Sequence, residues 1–313
     1  MRLEAKLARL ILFLMCVVRL LTAQDLRPRA YVIVPTGSNA VILSYAFNDG
    51  SIFVGSVLPI SDASGQYHVP AITYYRAFSF FRRSATIAAT LPYVVGTFQG
   101  EVGQTHQQIY RSGLADTIFR FSVNLIGGPA MPLSTFARWK QKTLLGVSLQ
   151  VVAPTGQYYP SHLINPGDNR WAVRPEIGFS QRWRNLLFDA YSAVWLFTAN
   201  NNYLTGSEFS KNRNVLTQAP IGAVEMHLSY NVKPRLWASL DGNYWYGGTT
   251  TVNGAIKIGT LQANSRIGGT VSLPFNRHQA VKFSYSDGEL VRVGGTFKTV
   301  SVAWQYSWIG KAR

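Results

Sequence analysis

Ten ionisable residues stand at positions from which they could act together: Arg120, Arg174, Glu176, Arg182, Asp189, Glu225, His227, Asp241, Arg266 and Lys282. Each lies in a segment where apolar and polar residues alternate, and each falls on the polar parity. If those segments are strands of one closed sheet, the ten share an inner surface and form a lumen-lining, solute-binding set. Charges of both signs on such a surface can orient or select a solute in a polar passage, as charged rings do in pores. They can equally pair with one another and fill a narrow interior.

Catalysis is a weaker reading of the same residues. His227 and Ser229 share a face, and a serine nucleophile needs a base within hydrogen-bond reach. Residues two apart on a strand, however, sit roughly 6.5–7 Å apart along it, and no third group or oxyanion site accompanies them. The histidines, His68, His106, His162, His227 and His278, are scattered without the spacing of a metal site. The glycines form no phosphate-binding turn between a strand and a helix. No catalytic residue, metal or cofactor is therefore expected, and the chain is read as a non-enzyme.

The elements that must position these residues have a period of two. In residues 236–246, Leu236, Ala238, Leu240, Gly242, Tyr244 and Tyr246 make one face, and Trp237, Ser239, Asp241, Asn243 and Trp245 make the other. The same alternation recurs over 119–125, 223–232, 266–275, 280–285 and 299–308. Connection lengths separate a membrane barrel from a soluble sandwich. Tight turns fall at Arg82-Arg83, 183–185, 233–235 and 276–278, whereas longer Gly-, Asn- and Tyr-rich segments fall at 99–113, 155–169, 199–214 and 247–258. Short turns at one end and long loops at the other are the plan of an outer-membrane barrel, which pairs every backbone donor and acceptor inside lipid.

The expected fold is an all-β, transmembrane antiparallel β-barrel of about 12 strands. They run over 39–48, 66–80, 84–98, 115–126, 143–153, 171–183, 186–198, 217–232, 236–247, 260–275, 279–287 and 296–308. Pairing of 31–34 and 51–58 would raise the number to 14. Residues 134–142 are expected to form a short helix capped by Ser134. The strand over 66–80 is irregular, because Arg76 shares the parity of Ile72, Tyr74 and Phe78.

Composition agrees with this architecture. Only 14% of the 313 residues are charged, against about 25% in soluble domains, so much of the surface is not built for water. Residues 1–23 have the pattern of a signal peptide: Arg2, Lys6 and Arg9, then an apolar stretch over 10–18, then Thr22-Ala23. Residues 24–38 are an N-terminal periplasmic or plug segment, and 39–313 the barrel. Cys16, the only cysteine, goes with the signal, which excludes disulfides and thiol chemistry in the mature part. Removing residues 1–23 takes away four bases and one acid, so the net charge of +16 falls to +13. The bases cluster at turns, which suits a lipid-headgroup rim better than a nucleic-acid surface.

Several short motifs follow one another along the mature chain. They are Arg29-Ala30-Tyr31, Pro35-x-Gly37-x-Asn39-Ala40, Arg111-Ser112-Gly113-Leu114-Ala115-Asp116 and Ala153-Pro154-Thr155-Gly156-Gln157-Tyr158. Asn169-Arg170-Trp171, Pro175-Glu176-x-Gly178, Asp189-Ala190-Tyr191 and the closing Ala303-Trp304-Gln305-Tyr306 continue the series. In these pieces and their order the chain resembles the outer-membrane transporter family named for the MetA pathway of phenol degradation, with Ala115 where that pattern has glycine. The resemblance implies a barrel encoded near aromatic-degradation genes, with a role in uptake.

The function expected is a bacterial outer-membrane channel for passive uptake of small solutes, aromatic compounds among them. A structural or surface-interaction barrel is the alternative, and a membrane hydrolase the third reading. The partners expected are outer-membrane lipid, lipopolysaccharide and a small-molecule solute, with no nucleic acid.

Overall fold

A computed structural model describes residues 26–53, 60–102, 105–162, 164–203 and 212–310; the expected signal peptide lies outside these residues. In chain order the strands are β1 (Ser38–Phe53), β2 (Ile60–Phe80), β3 (Arg83–Val102), β4 (Thr105–Leu114), β5 (Thr117–Ile126), β6 (Thr143–Ala153), β7 (Ala172–Trp183) and β8 (Leu186–Phe197). They continue with β9 (Leu216–Gln218), β10 (Ile221–Lys233), β11 (Leu236–Gly247), β12 (Thr250–Val252), β13 (Ala255–Ile256), β14 (Gln262–Pro274), β15 (Gln279–Val291) and β16 (Gly294–Ile309).

Twelve of these close on themselves. The order around the sheet is β1-β2-β3-β5-β6-β7-β8-β10-β11-β14-β15-β16, and β16 returns to β1 in a register running from Ser38↔Ile309 to Phe53↔Gly294. All these pairings are antiparallel, so both ends of the barrel-forming chain, the tight β2–β3, β7–β8, β10–β11 and β14–β15 turns and the 127–142 connection lie at one end. The β1–β2, β6–β7, β8–β10 and β11–β14 connections lie at the other, with the two-residue β15–β16 turn. Closure leaves no edge in the spanning wall.

Along β10, residues 221–230 alternate strictly between buried and exposed. Val224, Met226, Leu228 and Tyr230 face outward, while Glu225, His227 and Ser229 are buried. The polarity is the reverse of a soluble domain's: the apolar face is the outer one, and the interior holds the charges. Arg76 is exposed on the outer face beside Tyr74, as its parity requires, and pairs in register with Asn39 near the turn end.

Three expectations are corrected. Residues 99–113, read as a loop, contain the end of β3 and all of β4, which pairs with the upper part of β3. The reading failed because the outer half of β4 is polar and exposed on both faces, so its sequence does not alternate. The strand expected over 115–126 is β5, and the additional strand β4 precedes it with a break at Ala115-Asp116. The helix expected over 134–142 is a single turn, α1 (Leu133–Phe136), whose N-cap is Pro132 with no side-chain cap. The 14-strand alternative also fails among the described residues. Residues 51–53 extend β1, and 31–34 pair with no strand.

Candidate functional site

The wall of β5–β8, β10 and β11 brings the central charges together. Glu176 on β7 accepts from Arg120 on β5 (2.9 Å) and pairs with Arg174, two residues away on its own strand (3.1 Å). Arg174 also bridges to Glu225 on β10. From Glu225 the chain of contacts passes to His227 (Nε2 to Oε2, 3.5 Å) and on to Asp241 of β11 (Nδ1 to Oδ1, 2.9 Å). Ser239 and Thr270 donate to the second Asp241 oxygen (3.1 and 2.9 Å). Six of the ten expected residues thus form one continuous belt. Both polar partners of the His227 ring are carboxylates, and Ser229 does not bond to it.

Of the other four, Asp189 adjoins the belt, opposite His227 in the β8–β10 register, and three are placed elsewhere on the inner face. Asp189 is fully buried and accepts the Arg29 backbone N–H (3.3 Å). Arg182 sits at the turn end, its Nε bonded to the Arg184 carbonyl (3.0 Å). Arg266 donates along the wall to the Ser286 and Thr299 hydroxyls of β15 and β16 (2.7 and 2.9 Å). Lys282 is half-buried on the inner parity of β15.

The sequence marked residues 24–38 as a periplasmic or plug segment but did not show its seat. Residues 26–37 precede β1 and bond to the inner faces of β5–β8. Arg27 donates to Gln150 (2.8 Å) and Glu176 (3.1 Å), and the Tyr31 hydroxyl donates to Glu176 (3.0 Å). The Ala30 N–H donates to the Tyr191 hydroxyl (3.0 Å), and Arg29 stacks over Trp237 at 4.2 Å. The Tyr31 ring is seated on Gly146 and Gly178, where any Cβ would collide with it. Glycines on the polar parity of β6 and β7 are the sequence signal for this seat, since they mark wall positions stripped of side chain.

Towards the loop end the interior changes character. Val152, Ala172, Trp195, Ile221, Ala223 and Trp245 form a buried apolar cluster, all on the same inner parity as the charges below them. Arg174 lies 5.6 Å beneath the Trp195 ring and joins the two levels. A second buried cluster, Tyr67, Val94, Ala115 and Phe297, lines the wall near the β4–β5 break.

The break itself is a latch. The Asp116 carboxylate accepts the backbone N–H groups of Gly156 and Asp168 (both 2.9 Å), and Gln157 N–H reaches the Leu114 carbonyl (2.8 Å). These bonds fasten the 154–171 loop to the end of β4. Burial pushes the Asp116 carboxyl up to about 6, against the pull of its two amide donors. Ala115 fits this geometry with its N–H on the Pro92 carbonyl and a negative φ, so a glycine is not required there.

Motifs separated in sequence are therefore partners in space: 29–31 with 176–178 and 189–191, and 111–116 with 153–158. The same chain matches a family model, described as "Putative MetA-pathway of phenol degradation", over residues 43–306. The chain belongs to this family. Its fold is similar to the crystal structure of the COG4313 outer membrane channel from Pseudomonas putida F1, with a TM-score of 0.73 and 14% identity over 91% of this chain and all of that one. The β domain of the Bordetella autotransporter BrkA matches at a TM-score of 0.49 and 10% identity, over 87% of this chain and all of that one. No curated protein sequence matches. Family and fold together make this a barrel of the bacterial outer membrane, its exposed apolar face in contact with lipid.

Proposed function

We propose that the protein is a channel for passive uptake of small solutes, aromatic compounds among them, with its tight turns in the periplasm and its long loops outside. The observation that carries this reading is the aromatic level of an otherwise polar interior. Trp195 and Trp245 point inward at the loop end, where a barrel merely filled for stability could continue its charge pairs. An apolar solute reaching that level meets aromatic faces, and one passing further meets a belt that can hydrogen-bond a hydroxyl or carboxylate. Residues 26–37 occupy the belt and act as a plug. The ten expected residues then divide between holding the plug and lining the route. At the outer rim the lipid neighbour is lipopolysaccharide.

Liposome swelling with neutral, anionic and aromatic solutes of equal size tests the proposal. Aromatic solutes are expected to enter faster than sugars of the same mass. Swelling no faster than in empty vesicles for every solute would favour the structural-barrel reading.

A further inference from the structure

We infer that the turn end of the barrel is a docking surface for anionic phospholipid headgroups of the inner leaflet. Its charge is one-sided. Arg82 and Arg83 lie at the β2–β3 turn, Arg184 at β7–β8, Lys233 at β10–β11 and Arg277 at β14–β15, all exposed. Lys140 and Lys142 add two more exposed bases between β5 and β6. No aspartate or glutamate occurs in residues 80–83, 127–142, 183–186, 233–236 or 274–279. Among the described residues, none of these bases forms an ion pair. The loop end is mixed by contrast, with Lys298 opposite Asp49 in the β1–β16 register and Asp287 and Glu289 nearby.

The backbone of the turns shows that arginine is placed there against local preference. Arg82, Arg184 and Arg235 have φ of 64°, 51° and 67°, the left-handed region in which glycine or asparagine is relaxed and a long side chain is not. Arg235 answers to a structural need, since it donates to the carbonyls of Asn276 and Arg277 (both 2.7 Å) in the next turn. Arg82 and Arg184 make no such bond and extend into solvent. A residue kept in a strained conformation without an internal partner points to an external one.

The surroundings identify that partner as lipid rather than a soluble anion. Phe81, Trp183 and Phe275 are exposed beside Arg82, Arg184 and Arg277, at 83%, 56% and 65% of their full surface. They continue the lipid-facing band of the wall to the level of the bases. Large apolar groups interleaved with bases at the end of a membrane band place the charges at headgroup depth. Arg76 fits the same surface, since it is exposed on the outer parity a few residues before the turn. Each such base near an anionic surface favours it by roughly fivefold.

The test uses the full chain in nanodiscs of phosphatidylglycerol and phosphatidylethanolamine, with retained lipid counted by native mass spectrometry. The unaltered protein should retain phosphatidylglycerol preferentially, and less so at high salt. The triple variant Arg82→Asn, Arg184→Asn, Arg277→Gln should lose at least fivefold of that preference. Asparagine accepts the left-handed backbone, so the turns remain closed. Lys140→Gln with Lys142→Gln, outside the tight turns, should shift it in the same direction by less. Equal retention of the two lipids by the unaltered protein would overturn the inference, as would a preference untouched by both variants. None of these readouts measures conduction, so the channel reading stands or falls separately.

Discussion

The interior of the barrel has two levels built on one parity, and they are held together by opposite means. Midway along the barrel, Arg120, Arg174, Glu176, Glu225, His227 and Asp241 are linked by ion pairs and carry Arg27 and Tyr31 as a tenant. Near the loop end, Trp195, Trp245, Ile221 and Val152 are packed on one another with few polar bonds. Buried ion pairs give little net stability, because desolvation offsets their attraction, but removing one partner is costly. Apolar packing is tolerant of volume-conserving change. The difference teaches that the lower level specifies an arrangement, including where residues 26–37 lie, while the upper level supplies a surface that can accept different apolar shapes.

The largest effect that separates the levels is expected at Glu176. Glu176→Gln removes the carboxylate that Arg27, Arg120 and Arg174 share and leaves the three guanidinium groups facing one another. A loss of about 3–5 kcal/mol is expected in urea unfolding of the membrane-inserted protein. A loss below about 1 kcal/mol would mean that water already screens the belt and that the two levels do not differ in this way.

Next comes the seat of Tyr31. Gly178→Val drives a side chain into the Tyr31 ring and is expected to cost about 1–3 kcal/mol through overpacking. Single-channel conductance should rise as the plug is displaced. Gly242→Ala is the matched control, because a Cβ there meets nothing closer than 3.8 Å. Unchanged conductance in the valine variant would mean that residues 26–37 do not limit the passage.

Much of this could be read from the sequence, and the parts that could not have physical causes. Strands such as β6, β8 and β11 alternate cleanly because one face meets lipid and the other the interior, so their bounds and the polar parity are visible. That parity alone placed the ten charged residues on the inner face. It could not show that Arg27 and Tyr31 reach Glu176, since a segment without periodicity carries no register. Trp245 was assigned to the polar face, but among polar neighbours nothing marked it, or Trp195, as part of a separate level. That level appears only when β8, β10 and β11 align. β4 was missed because it stands partly outside the wall, exposed on both faces, where neither lipid nor lumen imposes alternation.

A smaller effect is expected at the upper level. Trp195→Leu keeps the site apolar but leaves a smaller side chain in a packed position, which should cost about 1–2 kcal/mol, and it removes an aromatic face. Aromatic pairs are worth about 0.5–1.5 kcal/mol beyond their area, so uptake of an aromatic solute should fall by roughly twofold to tenfold, with ion conductance unaffected. Equal loss of sugar and aromatic flux would show that the upper level acts by shape alone.

The smallest effect concerns the latch that closes the upper level, and it depends on pH. Asp116 is buried at the β4–β5 break with a carboxyl pushed up to about 6, above the ordinary aspartate value of about 3.9. Between these two values the folded loop binds more protons than the unfolded one, so its stability falls as pH rises. The contribution is whole below the ordinary value and lost once pH passes about 6. Opening of the 154–171 loop should therefore increase across that window, seen as faster hydrogen exchange of the Gly156 and Asp168 amides after correction for the intrinsic rate. The barrel strands should not respond, because the carboxylate binds only loop amides. Asp116→Asn removes the titrating group while leaving one oxygen to accept, and is expected to give exchange that no longer changes with pH. Exchange that slows as pH rises through 6 in the unaltered protein would mean that the two amide donors outweigh burial, and that the latch tightens with charge.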